Sequence, residues 1–231
     1  MSDTSSRQGD RLPLDELPSD RLPSDRLPWA AIVFTAFYLV VGLMVALGRA
    51  NWEFAFYIPI VLGLGLLVLS IRRQAGFSNG LLMALSVWGL LHVFGGVAQV
   101  PEGWPIDGDI PSFYSWEIIP GYLGYDKPVH AFGFGVATWA CWQGLVAATG
   151  VRKATLGLVT LAALAGMGLG AANEIVEFIA SQTMNTNVGG YINTGGDLIA
   201  NLLGASVAGM LILRRPGTNL PSTPTRLEQE K

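Results

Sequence analysis

A single cysteine, Cys141, rules out any intrachain disulfide and any cysteine-based zinc cluster. Histidine is almost as scarce, with only His92 and His130. Charge is sparse too: Asp, Glu, Lys and Arg make up 13% of the 231 residues, for a formal net charge of -3, where an ordinary soluble domain carries about 25%. These shortages exclude a compact soluble globule and a strongly basic nucleic-acid binder, so no nucleic-acid partner is expected. No Ser–His–Asp order, HExxH pair, Walker loop or GxGxxG in a strand context occurs. The sequence names no reaction.

What it does hold is apolar: 51% hydrophobic residues, with 29 glycines, 13 prolines and 7 tryptophans. Most charges fall in the first 28 positions, the last 18, or short gaps between long apolar runs. A bilayer core of about 30 Å takes about 20 residues of helix, and six runs qualify, at about 29–47, 52–70, 81–100, 128–148, 154–180 and 195–213. The expectation is an all-α fold, a six-transmembrane-helix bundle filling residues 29–215. The first 28 residues show no signal-peptide layout, and the first apolar run is long enough to stay as an anchor. Arg72-Arg73, Arg152-Lys153 and Arg214-Arg215 fall on one side of that topology with the terminal Arg and Lys, and only Arg49 and Lys127 on the other, twelve against two. The positive-inside rule then puts both termini in the cytoplasm.

Residues 1–28 carry a short repeat, Asp10-Arg-Leu-Pro, Asp20-Arg-Leu-Pro and Asp25-Arg-Leu-Pro. Its prolines and alternating charges predict a disordered cytoplasmic arm, and residues 216–231 a disordered tail. The one long connection, Pro101 to Lys127, faces outward by the span count. It holds Trp104, Phe113, Tyr114, Trp116, Tyr122 and Tyr125, and reads either as an interfacial aromatic belt or as a lid over an outward-facing cavity.

Polar residues inside spans are the informative ones, because burying them unpaired in lipid is costly. Glu174 and Glu177 stand three apart on one face of the fifth helix, in line with Gly170 and Gly166. Asp197, Asn201, Gly204 and Ala208 make a similar stripe on the sixth, as do Asp126, His130, Gly133 and Ala137 at the start of the fourth. The third offers His92, Gly95 and Gln99. Alternating directions bring these ends together at the outer end of the bundle, with His92 about 16 Å into its span.

Glu174, Glu177, Asp197 and His130 are therefore the candidate catalytic residues and the candidate ligands for a divalent metal. Asp126, Lys127, His92 and Asn201 are candidate ligand-binding residues. The plainer alternative is interhelical hydrogen bonding. A bound metal would polarise a phosphate and activate water, whereas crowded carboxylates beside histidine would relay protons. The stretch from Asn187 through Asn193-Thr-Gly-Gly-Asp reads as a turn, placing Asp197 in the first turn of the sixth helix, where its charge suits the dipole.

Tyr125-Asp-Lys-Pro-Val-His130, Glu174-Ile-Val-Glu177 and Asp197-Leu-Ile-Ala-Asn201-Leu-Leu-Gly204 together resemble the VanZ-like membrane proteins. With Leu91-His92, Gly95-Gly96 and the Glu-x-x-Glu form, they resemble more closely the YjdF-like branch. The resemblance spans residues 81–212 and implies a multi-pass protein of the bacterial inner membrane in a family linked to glycopeptide-antibiotic tolerance. Where VanZ-like proteins often place an arginine before the final Asp, this chain has Thr194-Gly-Gly. Two functions stay open: binding or modifying an envelope lipid or its headgroup at an outward-facing polar site, with membrane lipids as partners, or a small proton-coupled transporter using the same carboxylates. The sequence leaves the oligomeric state open.

Overall fold

The computed structural model describes residues 27–151, 153–183 and 190–215. The expected N-terminal arm, apart from residues 27 and 28, the tail after residue 215, and the Asn187–Gly189 part of the glycine-rich stretch lie outside the described residues. Six helices follow in order: α1 (Trp29–Gly48), α2 (Trp52–Ile71), α3 (Asn79–Val97), α4 (Asp126–Thr149), α5 (Leu156–Thr183) and α6 (Tyr191–Arg214). All six are long and apolar enough to cross a membrane. Between α3 and α4 lie a single 3₁₀ turn (Phe113–Ser115) and a two-stranded antiparallel ribbon, β1 (Glu117–Ile119) and β2 (Leu123–Gly124).

Local chemistry sets the helix ends. Asn51 caps α2 by accepting from the Phe54 amide at 3.1 Å, and Ser78 caps α3 by accepting from Leu81 at 3.3 Å. Gly150, at φ 68°, closes α4 in the left-handed conformation. Six ends differ from the sequence reading by two to four residues, and three of them bear on the polar centre or the long connection. The fourth span begins at Asp126 rather than Pro128, because a proline in the first turn sacrifices no helical hydrogen bond. The third ends at Val97 rather than residue 100: Ala98 turns extended, and Gln99 pairs across to Ser112 instead of extending the helix. The sixth begins at Tyr191, so Asn193-Thr-Gly-Gly-Asp is helix and not a turn.

Consecutive helices alternate in direction, α3 and α4 across the long connection between them. At one end Arg49 donates to the Val97 carbonyl at 2.6 Å and Asn51 to that of Gly96 at 3.1 Å. At the opposite end Gln143 donates to the Ser78 hydroxyl at 3.0 Å and the Arg215 guanidinium sits 5.3 Å over the Trp139 ring.

The bundle divides into two three-helix units, α1–α3 and α4–α6, joined where α3 meets α4. Tyr38, Leu39, Phe54, Ile58 and Val93 form the core of the first. In the second, small residues let backbones approach. Gly204 of α6 faces Ala131 so closely that a Cβ would strike that residue's carbonyl, and Gly166 of α5 lies against Thr138 of α4 in the same way. Outward faces remain apolar: Val33, Phe37, Val40 and Met44 of α1 form an exposed stripe with helical spacing, the pattern of a lipid-facing helix.

Candidate functional site

The first two turns of α4 present Asp126, Lys127 and His130 to α5 and α6. Lys127 is the hub of the α4–α6 side. Its ammonium lies 2.7 Å from Asp126 Oδ2, 3.0 Å from Asp197 Oδ1, 2.8 Å from Asn193 Oδ1 and 3.2 Å from the Asn193 carbonyl. Asp197 is completely buried, and its second oxygen accepts from Asn193 Nδ2 at 2.8 Å. With α6 starting at Tyr191, Asp197 sits in the second turn, so its charge is balanced by Lys127 and not by the helix terminus.

His130 is the centre. Its Nδ1 is 3.3 Å from Asn201 Oδ1, 3.4 Å from Glu174 Oε1 and 3.8 Å from Asp197 Oδ1, while its Nε2 is 3.9 Å from Glu177 Oε1. The Glu174 contact lacks hydrogen-bond geometry, and among the described residues neither oxygen of that buried carboxylate has a hydrogen-bond partner. Glu177 accepts one bond, from Asn173 at 2.7 Å. One ligand atom from each of His130, Glu174, Glu177 and Asp197 falls within 4.8 Å of every other, and all four residues are buried. Glu174, Glu177, Asp197, His130, Asn201, Asp126 and Lys127 thus occupy one continuous polar centre at one end of the bundle.

His92 stands beside this centre. Its ring centroid is 6.2 Å from that of His130, and its Nδ1 pairs with the Tyr114 hydroxyl. Burial holds the Tyr114 phenol well above its ordinary pKa, with the Glu177 charge adding to the effect. The phenol therefore stays protonated beside the His92 ring. Tyr125 is similarly pushed up, to about 12, by burial, and its hydroxyl donates to the Leu91 carbonyl at 3.1 Å. Both tyrosines come from the long connection, which folds back onto α3. Trp104, Phe113, Trp116 and Tyr125 form one ring cluster there, and Tyr122 alone among the six aromatics stands almost fully exposed.

Four participants escape a reading by sequence. Tyr114 is hidden among six loop aromatics. Trp88, one turn before His92, packs its ring 5.2 Å from His92 and 5.3 Å from Phe134, with nothing in the sequence to set it apart from the other tryptophans. Asn173 and Asn193 stand four residues before Glu177 and Asp197; that helical spacing was already open to view for Asn173 in the fifth span, and would have revealed Asn193 had 193–197 been read as helix. Gln99, by contrast, lies outside the centre, beside a separate cavity of about 640 Å³ with Arg49, Asn51 and Glu53.

The centre opens sideways. A groove of about 420 Å³ between α5 and α6 is lined by Ala171, Ile175, Phe178 and Leu198, with Glu174 among its walls. Towards the opposite end the three helices close: Phe134, Thr138 and Ala205 are buried, and the Thr138 hydroxyl is spent on the Phe134 carbonyl at 2.9 Å.

The model of a family described as "Predicted membrane protein (DUF2238)" matches residues 27–217. No curated protein and no solved structure matches the chain. The family match opens two residues before α1 and closes three after α6, so it takes in all six spans and the whole polar centre, and the chain belongs to the DUF2238 family of multi-pass membrane proteins.

Proposed function

We propose that the protein lies in a bacterial inner membrane with both termini cytoplasmic, and that its polar centre binds or modifies the headgroup of an envelope lipid. One observation carries the reading: an apolar groove between two membrane-spanning helices leads to a buried carboxylate, Glu174, that accepts no hydrogen bond among the described residues. An acyl chain fits the walls of Ala171, Ile175, Phe178 and Leu198, and a polar headgroup meets the hydrogen-bonding residues beyond them. The twelve-to-two distribution of Lys and Arg supports an outward-facing centre. The likeness of the Asp126–His130, Glu174–Glu177 and Asp197–Gly204 motifs to the VanZ-like and YjdF-like proteins supports a role in the envelope.

Proton-coupled transport through the same carboxylates needs a path to the other face. The closed packing of Phe134, Thr138 and Ala205 below His130 weighs against it. The test is lipid retention. Native mass spectrometry of the protein extracted from membranes in mild detergent is expected to show bound lipid, and Ala171→Trp, which fills the groove, to lose it while the melting profile is kept. Wild-type protein free of lipid, or undiminished retention in Ala171→Trp, refutes the reading.

A further inference from the structure

We propose that His130, Glu174, Glu177 and Asp197 form a binding site for one divalent first-row transition-metal ion. The inference stands apart from the lipid reading and rests on three observations.

The first is convergence. Three helices each deliver donors to one point: α4 an imidazole, α5 two carboxylates, α6 a third carboxylate, all within 4.8 Å of one another. Donors held at about 2.1 Å from a tetrahedral ion stand about 3.4 Å apart. The His130 Nδ1 to Glu174 Oε1 distance is already 3.4 Å and that to Asp197 Oδ1 is 3.8 Å, so the side chains need only small rotations to close on an ion.

The second is missing partners. Among the described residues, both Glu174 oxygens and the Asn201 amide nitrogen are buried without a hydrogen bond, with Glu174 only 4% and Asn201 0% exposed. Buried polar groups are nearly always satisfied, so these atoms mark a place for a ligand. Asn201 Oδ1 and the Glu174 carboxylate both face His130 Nδ1.

The third is charge. Among the described residues Lys127 is the one ammonium in the centre, and it makes ion pairs with Asp126 and Asp197 but with neither glutamate. A water molecule would satisfy hydrogen bonds without supplying charge, whereas a dication supplies it in direct contact, where the lysine makes no ion pair. The oxygen-rich set with one imidazole and no sulfur suits Mn²⁺, Fe²⁺ or Zn²⁺ better than a soft ion, and the imidazole disfavours Mg²⁺ and Ca²⁺. Asn193 and Lys127, already bonded to Asp197, would orient that ligand from outside, as supporting partners do in metal sites.

The experiment uses the full-length protein in detergent, stripped with chelator, dialysed against Zn²⁺ or Mn²⁺ and measured by elemental analysis and calorimetric titration. Wild type is expected to bind about one ion per chain. Glu174→Gln and Glu177→Gln, which keep shape and lose charge, should each weaken binding about 100-fold or more. Glu102→Gln, on the exposed connection, should bind as wild type does. Binding by wild type of neither ion in stoichiometric amount overturns the proposal, as does equal binding by wild type and both folded glutamine variants. If one variant fails to fold, the other decides. Metal content is read on lipid-depleted protein, so a loss of the lipid reading leaves this result intact, and the converse holds.

Discussion

Replacing Lys127 by methionine isolates the interaction on which the α4–α6 half of the centre depends. Methionine keeps most of the aliphatic volume and removes one positive charge and four oxygen contacts, of which the 3.0 Å contact to the wholly buried Asp197 matters most. Removing one partner of a buried ion pair costs about 3–5 kcal/mol, because the other charge remains without water or counter-charge. Side-chain exposure of 19% at Lys127 and 12% at Asp126 lets water relieve the Asp126 side, which places the expected loss near the lower bound, about 3 kcal/mol. For a chain of this size that corresponds to a fall in Tm of about 6–12 °C. The assay is thermal melting in detergent with chelator present, for Lys127→Met, Asp197→Asn and the double variant. Asp197→Asn removes the orphaned charge, so the double variant should be more stable than the sum of the single losses allows, with a coupling of about 1–3 kcal/mol. A Lys127→Met protein that melts within about 2 °C of wild type, or strict additivity in the double variant, would refute the argument.

Alkaline-phosphatase fusions within residues 105–115 should be active and one after Lys231 inactive; the opposite pattern would reverse the proposed orientation. Gly204→Ala should cost about 1–3 kcal/mol by driving a methyl group into the Ala131 carbonyl, whereas Gly63→Ala, with open space around its Cβ, should be neutral or slightly stabilising in the same melts. Tyr125, at about 12 when folded and about 10 when unfolded, keeps its proton longer in the native state, so its contribution is complete below pH 10 and is lost as pH rises from 10 to 12. Melting curves of wild type and Tyr125→Phe should therefore differ in slope across that window and run parallel below it. In a deletion strain with an envelope-stress phenotype, Glu177→Gln should fail to complement while accumulating to normal levels. Full complementation by Glu174→Gln, Glu177→Gln and Asp197→Asn alike would make the carboxylates structural.

The six spans were legible because length and apolarity suffice to define them. The meeting of α4, α5 and α6 was legible because alternate directions and i, i+3 or i, i+4 stripes fix both the end and the face. The course of residues 193–197 was not. Gly195-Gly196 carries the signal of a helix breaker, yet α6 runs through it, and the reason is tertiary: a Cβ on Gly196 would lie 2.8 Å from Lys127 Cε. The glycine makes room for the lysine, and its poor helix propensity is overridden by what the lysine binds. The end of α3 was missed for a related reason. Gly95 and Gly96 accommodate the rings of Tyr114 and Phe54, and those rings arrive from a connection and a helix remote in sequence, so no local pattern announces them. Tyr114 as the partner of His92 is a consequence of that same fold-back.

The bonds within the centre are not evenly shared among its three helices. Lys127, Asp197, Asn193, His130 and Asn201 tie α4 to α6 by hydrogen bonds, and Gly204 against Ala131 brings those two backbones together. Among the described residues α5 contributes no hydrogen bond to either partner at this level. Glu177 is held by Asn173 of its own helix, Glu174 by nothing, and both face His130 only as ion-pair contacts. Packing keeps α5 in place, through Gly166 on Thr138 and Gly170 on Asn201. A ligand entering from the α5–α6 groove, as proposed, would meet one half that already has its counter-charge and a second half whose carboxylates hold a single hydrogen bond, from Asn173 to Glu177. Binding at Glu174 and Glu177 breaks no hydrogen bond beyond the one from Asn173, so the interaction with the ligand is not offset by the loss of existing contacts. That asymmetry supports the proposed binding role over helix adhesion, which would be expected to join all three helices with its polar groups.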